Sequence, residues 1–293
     1  MTSGFSTISF LSDYGTDDEF VGVVKSVVRS IAPEVTVIDI THGVPACDVR
    51  AGGLALARAS EYMVPSVVLA VVDPGVGTDR RGVAIEVADG GAFLVGPDNG
   101  LLAPAVGMVG GATAAVILDN PEYQHPQVGV TFAGRDVFAP AAAYLCNGVP
   151  LTELGTSIEP SQLLPGVLPV AEQQDDGSVT AEVLWIDRFG NCQINIDPSD
   201  VEGWAQSVQV SGQSVETRNV TQVKTFAEIT TGSVGLLADS YGLLMLAVDR
   251  GSAAAELGLS EGDRLVLASA DNAPSVATAV SLTTKPSADK GSL

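Results

Sequence analysis

The chain of 293 residues is poor in cations: 14 Lys and Arg stand against 35 Asp and Glu, a formal net charge of −21. That balance argues against nucleic acid, whose phosphates are neutralised by Lys and Arg. It serves solubility and is compatible with a cationic small substrate. Histidine is scarcer still, with only His42 and His125, which excludes a His-rich metal site. No GxSxG elbow is present, so a Ser-His-Asp triad has little support. Neither GxGxxG nor a Walker A loop occurs, which speaks against NAD and against ATP hydrolysis. The cysteines, Cys47, Cys146 and Cys192, are odd in number and far apart, without disulfide or zinc spacing. Reduced structural thiols are expected. Long apolar runs are also missing: the longest low-charge stretch, 101–118, is broken by Pro104 and several glycines, so no membrane span is expected. The opening MTSGFSTISF has neither the basic region nor the long apolar region of a signal peptide. A cytoplasmic location is the resulting expectation.

What is present is a repeated theme. Short β-branched apolar runs end on polar residues: TISFLSDYG at Asp13, VTVIDITHG at Asp39 and His42, VVLAVVDPG at Asp73, AFLVGPDNG at Asp98 and Asn99. Helix-like segments lie between the first three, over 18–31 and 48–62. Alternation of this kind predicts an α/β domain with a mostly parallel central sheet. Such sheets bind ligands beyond the carboxyl ends of their strands, where these four aspartates collect. A lone strand-end Asp is an ordinary turn residue; four of them point to a site. Residues 139–148 read as a helix closed by Asn147-Gly148. The stretch 163–178, with its prolines and acidic patch, reads as interdomain. Beyond it come short strands with few helices, a small β-barrel or sandwich. The expected division is an α/β domain over 1–165, a linker over 166–178 and a smaller domain over 179–293, its tail frayed from about 272.

Each motif has a plainer rival. His42 suits turn capping better than catalysis, and His125, before Pro126, suits a surface loop. A Mg²⁺ site on Asp13, Asp73 and Asp98 is chemically conceivable, but carboxylates at separate strand ends are common, and no metal is expected. In TFAGRDVFAP, Arg135-Asp136 can cap a helix and Phe132 can be core. In WIDRFGNCQINI, Asp187, Phe189 and Asn191 share one corner, which can hold a purine and an amine or can be a β-turn closed by an Asx bond.

Seven stretches in order, FLSDYGTDD, DITHGVPACDVRAG, VVDPGVGTDRR, GPDNGLL, TFAGRDVFAP, IDRFGN and DSYG, resemble the S-adenosyl-L-methionine (SAM) hydroxide adenosyltransferases, hydrolytic relatives of the SAM-dependent fluorinase and chlorinase. The resemblance covers roughly residues 6–265. It implies an α/β domain plus a C-terminal β-barrel and a homotrimer with sites between subunits. It also implies conversion of SAM and water to adenosine and methionine without metal or cofactor. Position by position, Asp73 and Arg80 match two members of the family's Asp-Arg-His water-handling set. Asp13 matches the ribose-gripping carboxylate. Asp18, Asp187 and Ser240 match the methionine end. Phe189, Asn191 and, less closely, Phe226 match the adenine contacts, and Phe132 lies near the reacting carbon. The third member of the water-handling set, a His in TFHGRD, is here Ala133. Cys47 stands where the fluorinase has a Trp over the ribose.

These positions imply a mechanism. Asp73 aims a water at the 5′ carbon. Arg80 steadies the carboxylate and, as a neighbouring cation, is expected to lower its pKa. Ala133 lacks the imidazole and implies slow turnover. Rival outcomes are a chlorinase-type halogenase, which Gly134 suits as a small neighbour of the reacting centre, a non-catalytic SAM or adenosine binder, and a Mg²⁺ phosphoesterase.

Overall fold

The structure is a computed structural model that describes residues 4–126, 129–213 and 215–271. The expected frayed tail from about 272 lies outside them. The chain forms two compact units, Met1–Pro169 and Val170–Leu293. Among the described residues no helix is long and apolar enough to cross a membrane.

The first unit runs β1 (Thr7–Ser12), α1 (Phe20–Ile31), β2 (Thr36–Thr41), α2 (Val49–Ser60), β3 (Val67–Val71), β4 (Gly82–Val87), β5 (Ala92–Pro97), α3 (Ala103–Met108), β6 (Ala112–Ile117), α4 (Ala139–Cys146) and β7 (Thr156–Ile158). Its sheet has the order β2-β1-β3-β5-β4-β6-β7. The first four strands are parallel. β4 is antiparallel to both β5 and β6, and β7 to β6. Thus β2, β1, β3, β5 and β6 run one way and only β4 and β7 oppose them. β3 is buried along its whole length, as an apolar run covered on both faces must be. Its period of two divides the core. Val67, Leu69 and Val71 face α1 and α4; Val68 and Ala70 face α2 and α3. The helices expected over 18–31 and 48–62 occur as α1 and α2. Asp48 caps α2 by accepting the Ala51 N–H at 2.9 Å, which satisfies an orphan donor of the first turn.

In the second unit β8 (Glu172–Gln173), β9 (Val179–Ile186), β10 (Cys192–Ile194), β11 (Ser207–Gly212), β12 (Arg218–Gln222), β13 (Val234–Ala238), β14 (Leu244–Val248) and β15 (Arg264–Ser269) are joined by α5 (Ala253–Leu257), between β14 and β15. The order β10-β14-β13-β12-β11-β15-β9 closes through a β9–β10 pairing into a seven-stranded barrel, with β8 added on β9. Closure removes sheet edges, and the interior is filled by residues such as Val183, Ile194, Val208, Leu236, Leu246 and Leu265. The sequence left barrel and sandwich open; the β9–β10 pairing decides for the barrel.

Candidate active site

Val72 follows β3 and is fully buried. The chain then turns sharply. Val76 N–H donates to the Asp73 carbonyl at 3.2 Å, and both the N–H and the hydroxyl of Thr78 reach the Gly75 carbonyl. This compact loop returns Arg80 to the start of its own turn. Its Nε donates to Asp73 Oδ1 at 2.9 Å and its Nη2 to Oδ2 at 2.5 Å. A fork of this kind fixes a carboxylate in plane as well as pairing its charge. The two side chains are 6% and 13% exposed, and the guanidinium lies 5.3 Å from the Phe138 ring centroid. Burial raises the Asp73 pKa, and the opposing pull of Arg80 is smaller, so the carboxyl sits above its ordinary range. Arg80 does pull it down, as expected, but the net shift is upward, because the desolvation of a nearly enclosed anion outweighs one cation.

Asp73 opens on a cavity of about 270 Å³ shared with Asp13, Tyr14, Phe20, Phe132 and Ala133. The three rings meet edge-on or tilted, with centroids 5.2 to 5.8 Å apart, an arrangement that aromatic quadrupoles favour. Asp13 Oδ2 accepts the Cys47 N–H at 2.8 Å, and Cys47 holds φ 64° to deliver it. Oδ1 of Asp13 has no hydrogen-bond donor among the described residues. Ala133 also borders a neighbouring cavity of about 290 Å³ that reaches Arg80 and Asp136. Arg135 pairs with Asp136 through bonds of 2.6 and 2.9 Å and stacks on Phe132 at 5.1 Å. The dipeptide thus braces the aromatic wall at the entry to the π-helical turn Gly134–Phe138 that leads into α4.

The four strand-end aspartates do not form one site, and that expectation is corrected. Asp39 is engaged by Lys25 at 2.6 Å and faces His42 Nε2 at 3.1 Å. His42 is buried, with Nδ1 2.8 Å from Ser12 Oγ. Asp98 is bound to Arg81 and to the Leu164 N–H. Only Asp13 and Asp73 line the cavity. Asp18 is exposed in the turn before α1 and is not part of that wall. Among the described residues no group of three or more His, Cys, Asp or Glu side chains is placed to share a metal ion. Sequence reasoning passed over Tyr14 and Phe20, although Tyr14 directly follows Asp13 and was within sight as a candidate.

In the barrel, Asp187, Phe189 and Asn191 do share the β9–β10 corner. Asp187 Oδ1 accepts the N–H groups of Phe189 and Asn191, and Oδ2 accepts Asn191 Nδ2 at 2.8 Å. The Asx-closed turn is therefore real, and it holds Asn191 in place while leaving Phe189 75% exposed. Gln193, two residues on, donates to Asp239, whose own turn carries Ser240. Trp185 and Tyr241 bring their rings to 6.4 Å across the same link. Phe226 begins a single turn between β12 and β13 and is 45% exposed. No ring contact among the described residues joins it to Phe189.

Fold and site together define a class: an α/β unit with a carboxylate–guanidinium pair at a strand end, followed by a closed β-barrel. The model of the SAM hydroxide adenosyltransferase N-terminal domain matches residues 8–155 and that of the C-terminal domain residues 181–266. The (R)-S-adenosyl-L-methionine hydrolase of Salinispora tropica is 45% identical over 258 residues, 88% of this chain and 96% of its own. That of Thermus thermophilus is 40% identical across 87% of this chain and 96% of its own. A fluorinase of Actinoplanes sp. is more distant, at 27% over 84% of this chain and 91% of its own. The crystal structure of an uncharacterized conserved protein from Thermotoga maritima superposes with a TM-score of 0.82 at 33% identity, covering 89% of this chain and 99% of that one. The chain belongs to the SAM hydroxide adenosyltransferase family.

Proposed function

We propose that the protein hydrolyses SAM to adenosine and L-methionine. Water attacks the 5′ carbon in line with the C–S bond. The C–O bond forms as the C–S bond breaks, and its electron pair leaves on sulfur as a neutral thioether. No general acid is needed, and the balance calls for no cofactor. The water's proton passes to Asp73 and then to solvent. The observation that carries this reading is the buried Asp73–Arg80 fork on a cavity walled by aromatic rings. The fork limits the carboxylate to one orientation, which contributes through geometry. Burial raises its basicity, which suits a group that must take a proton.

On this reading Asp13 grips the ribose hydroxyls and Phe132 borders the reacting carbon. Asp18, Asp187 and Ser240 hold the methionine end, and Phe189, Asn191 and Phe226 hold adenine. An anion facing the nucleophile's place disfavours halide against water. The protein acts as a homotrimer, each site completed by a neighbour's barrel; the exposure of Phe189 supports a ligand or subunit covering it. Its three cysteines have no disulfide partner among the described residues, which fits the reducing cytoplasm. Ala133 in place of an imidazole slows turnover. The test is chromatography of products from SAM in buffer with and without chloride. Adenosine and methionine in equal amounts are expected under both conditions. A 5′-chlorinated nucleoside points instead to a halogenase, and SAM retained without product points to a binding protein.

A further inference from the structure

Tyr14 leaves β1 directly after Asp13. Its ring is held against Phe20 and Phe132, with centroids at 5.6 and 5.8 Å. Its hydroxyl lies over Gly134: a Cβ built there would come within 2.2 Å of Oη. Glycine is thus required at 134 for the phenol to stand where it does. The hydroxyl has no hydrogen-bond partner among the described residues, yet it belongs to the wall that also carries Asp13, Asp73 and Ala133. Burial, reinforced by the charges of Asp13 and Asp73, pushes the phenol above its ordinary pKa, so it keeps its proton throughout the neutral range.

The nucleophile needs more than Asp73. A water held through one O–H still rotates about that bond and points its lone pair at the 5′ carbon only part of the time. Restraining its second hydrogen leaves the attacking lone pair one direction. Ala133 offers no polar atom for this, Asp13 gives Oδ2 to Cys47 and, on the reading above, Oδ1 to the ribose hydroxyls, and Thr131 stands on the exposed rim of the same wall. A phenol oxygen can accept such a hydrogen. We propose that Tyr14 is a water-positioning residue, its hydroxyl taking the second hydrogen of the nucleophile while Asp73 takes the first. Gly134 then keeps space for the phenol. This rests on the hydrolytic reading above and deepens it.

The test compares the full chain with Tyr14→Phe, which keeps the ring and its packing. The expected result is a kcat lowered about ten-fold, the worth of one neutral hydrogen bond, with KM within about two-fold and an unchanged melting temperature. Ala133→His should then raise kcat more in the Tyr14→Phe background than in the parent, because an imidazole there takes up the contact the phenol has lost. A purely structural tyrosine would not produce that asymmetry. Equal kcat for Tyr14→Phe and the parent overturns the inference and leaves the hydrolytic reading standing. A parent chain that forms no adenosine from SAM overturns both.

Discussion

Arg80 and Arg81 are neighbours in sequence, and each grips an aspartate beyond a parallel strand: Asp73 after β3 and Asp98 after β5. Adjacent residues entering β4 point to opposite sides of the sheet. Arg80 therefore lies by Phe138, in the core beneath α1 and α4, and Arg81 reaches the 162–164 segment on the other side. The Asp98 pair is closed. Its second oxygen takes the Leu164 N–H at 2.8 Å, and Arg81 also donates to the Gln162 carbonyl at 2.6 Å. It fastens a loop to a sheet. The Asp73 pair has the Phe138 ring against its guanidinium and a backbone bond from Gly75 to its carboxylate, but no third side-chain hydrogen bond among the described residues, and it faces a cavity shared with Asp13 and three aromatic rings. The same two groups, one residue apart, make a brace in one place and a candidate catalytic pair in the other. What separates them is what each carboxylate faces: a fastened loop at Asp98 and an aromatic-walled cavity at Asp73.

That contrast breaks most visibly with Asp73→Asn, which should lower kcat by roughly 10²- to 10⁴-fold while SAM affinity, read by calorimetry, stays near the parent's. Asp98→Asn should do the reverse: turnover of the folded protein is unchanged, but urea unfolding loses about 1–3 kcal/mol because the partly exposed Arg81 loses its charged partner. If Asp98→Asn silences the enzyme while remaining stable, the division between the pairs is wrong. Ala133→His should raise adenosine formation about ten-fold or more in steady-state assays. Phe189→Ala removes an exposed ring and should raise KM about ten-fold, through lost stacking on the base, without moving the melting temperature.

The smallest effect concerns pH. Activity on the acid limb requires ionised Asp73, whose pKa is already raised by burial and held back by Arg80. Removing the cation leaves burial opposed only by the Gly75 backbone bond, so Arg80→Gln should move the acid limb of kcat/KM to higher pH. A limb that stays put, or moves to lower pH, would mean that a different group is being titrated.

Much of this was legible in the residues. The run Val67–Val72 read as a strand covered on both faces because no polar side chain interrupts it, whereas the pairing of Asp73 with Arg80 came from the family resemblance, since spacing alone did not separate Arg80 from Arg81. Helices α1 and α2 were expected as helix-like segments over 18–31 and 48–62, and the structure added that Asp48 caps the second. β4 and the antiparallel half of the sheet were not, because a strand pattern carries no direction and Gly82 resembles a continuation of the preceding turn. The corner at Asp187 was ambiguous between turn and binding site. The structure makes it a turn that presents Phe189 and Asn191, so the two readings were never exclusive.

By itself the sequence determined the alternation of buried strands and helices, the acidic surface, and a carboxylate followed by a guanidinium, because those depend on local order and side-chain chemistry. Only the tertiary structure decided which aspartates share a cavity, that burial outweighs Arg80 in setting the basicity of Asp73, and that Tyr14 rests on Gly134. Each of those depends on distance and solvent exclusion between residues far apart in the chain, which linear order does not encode.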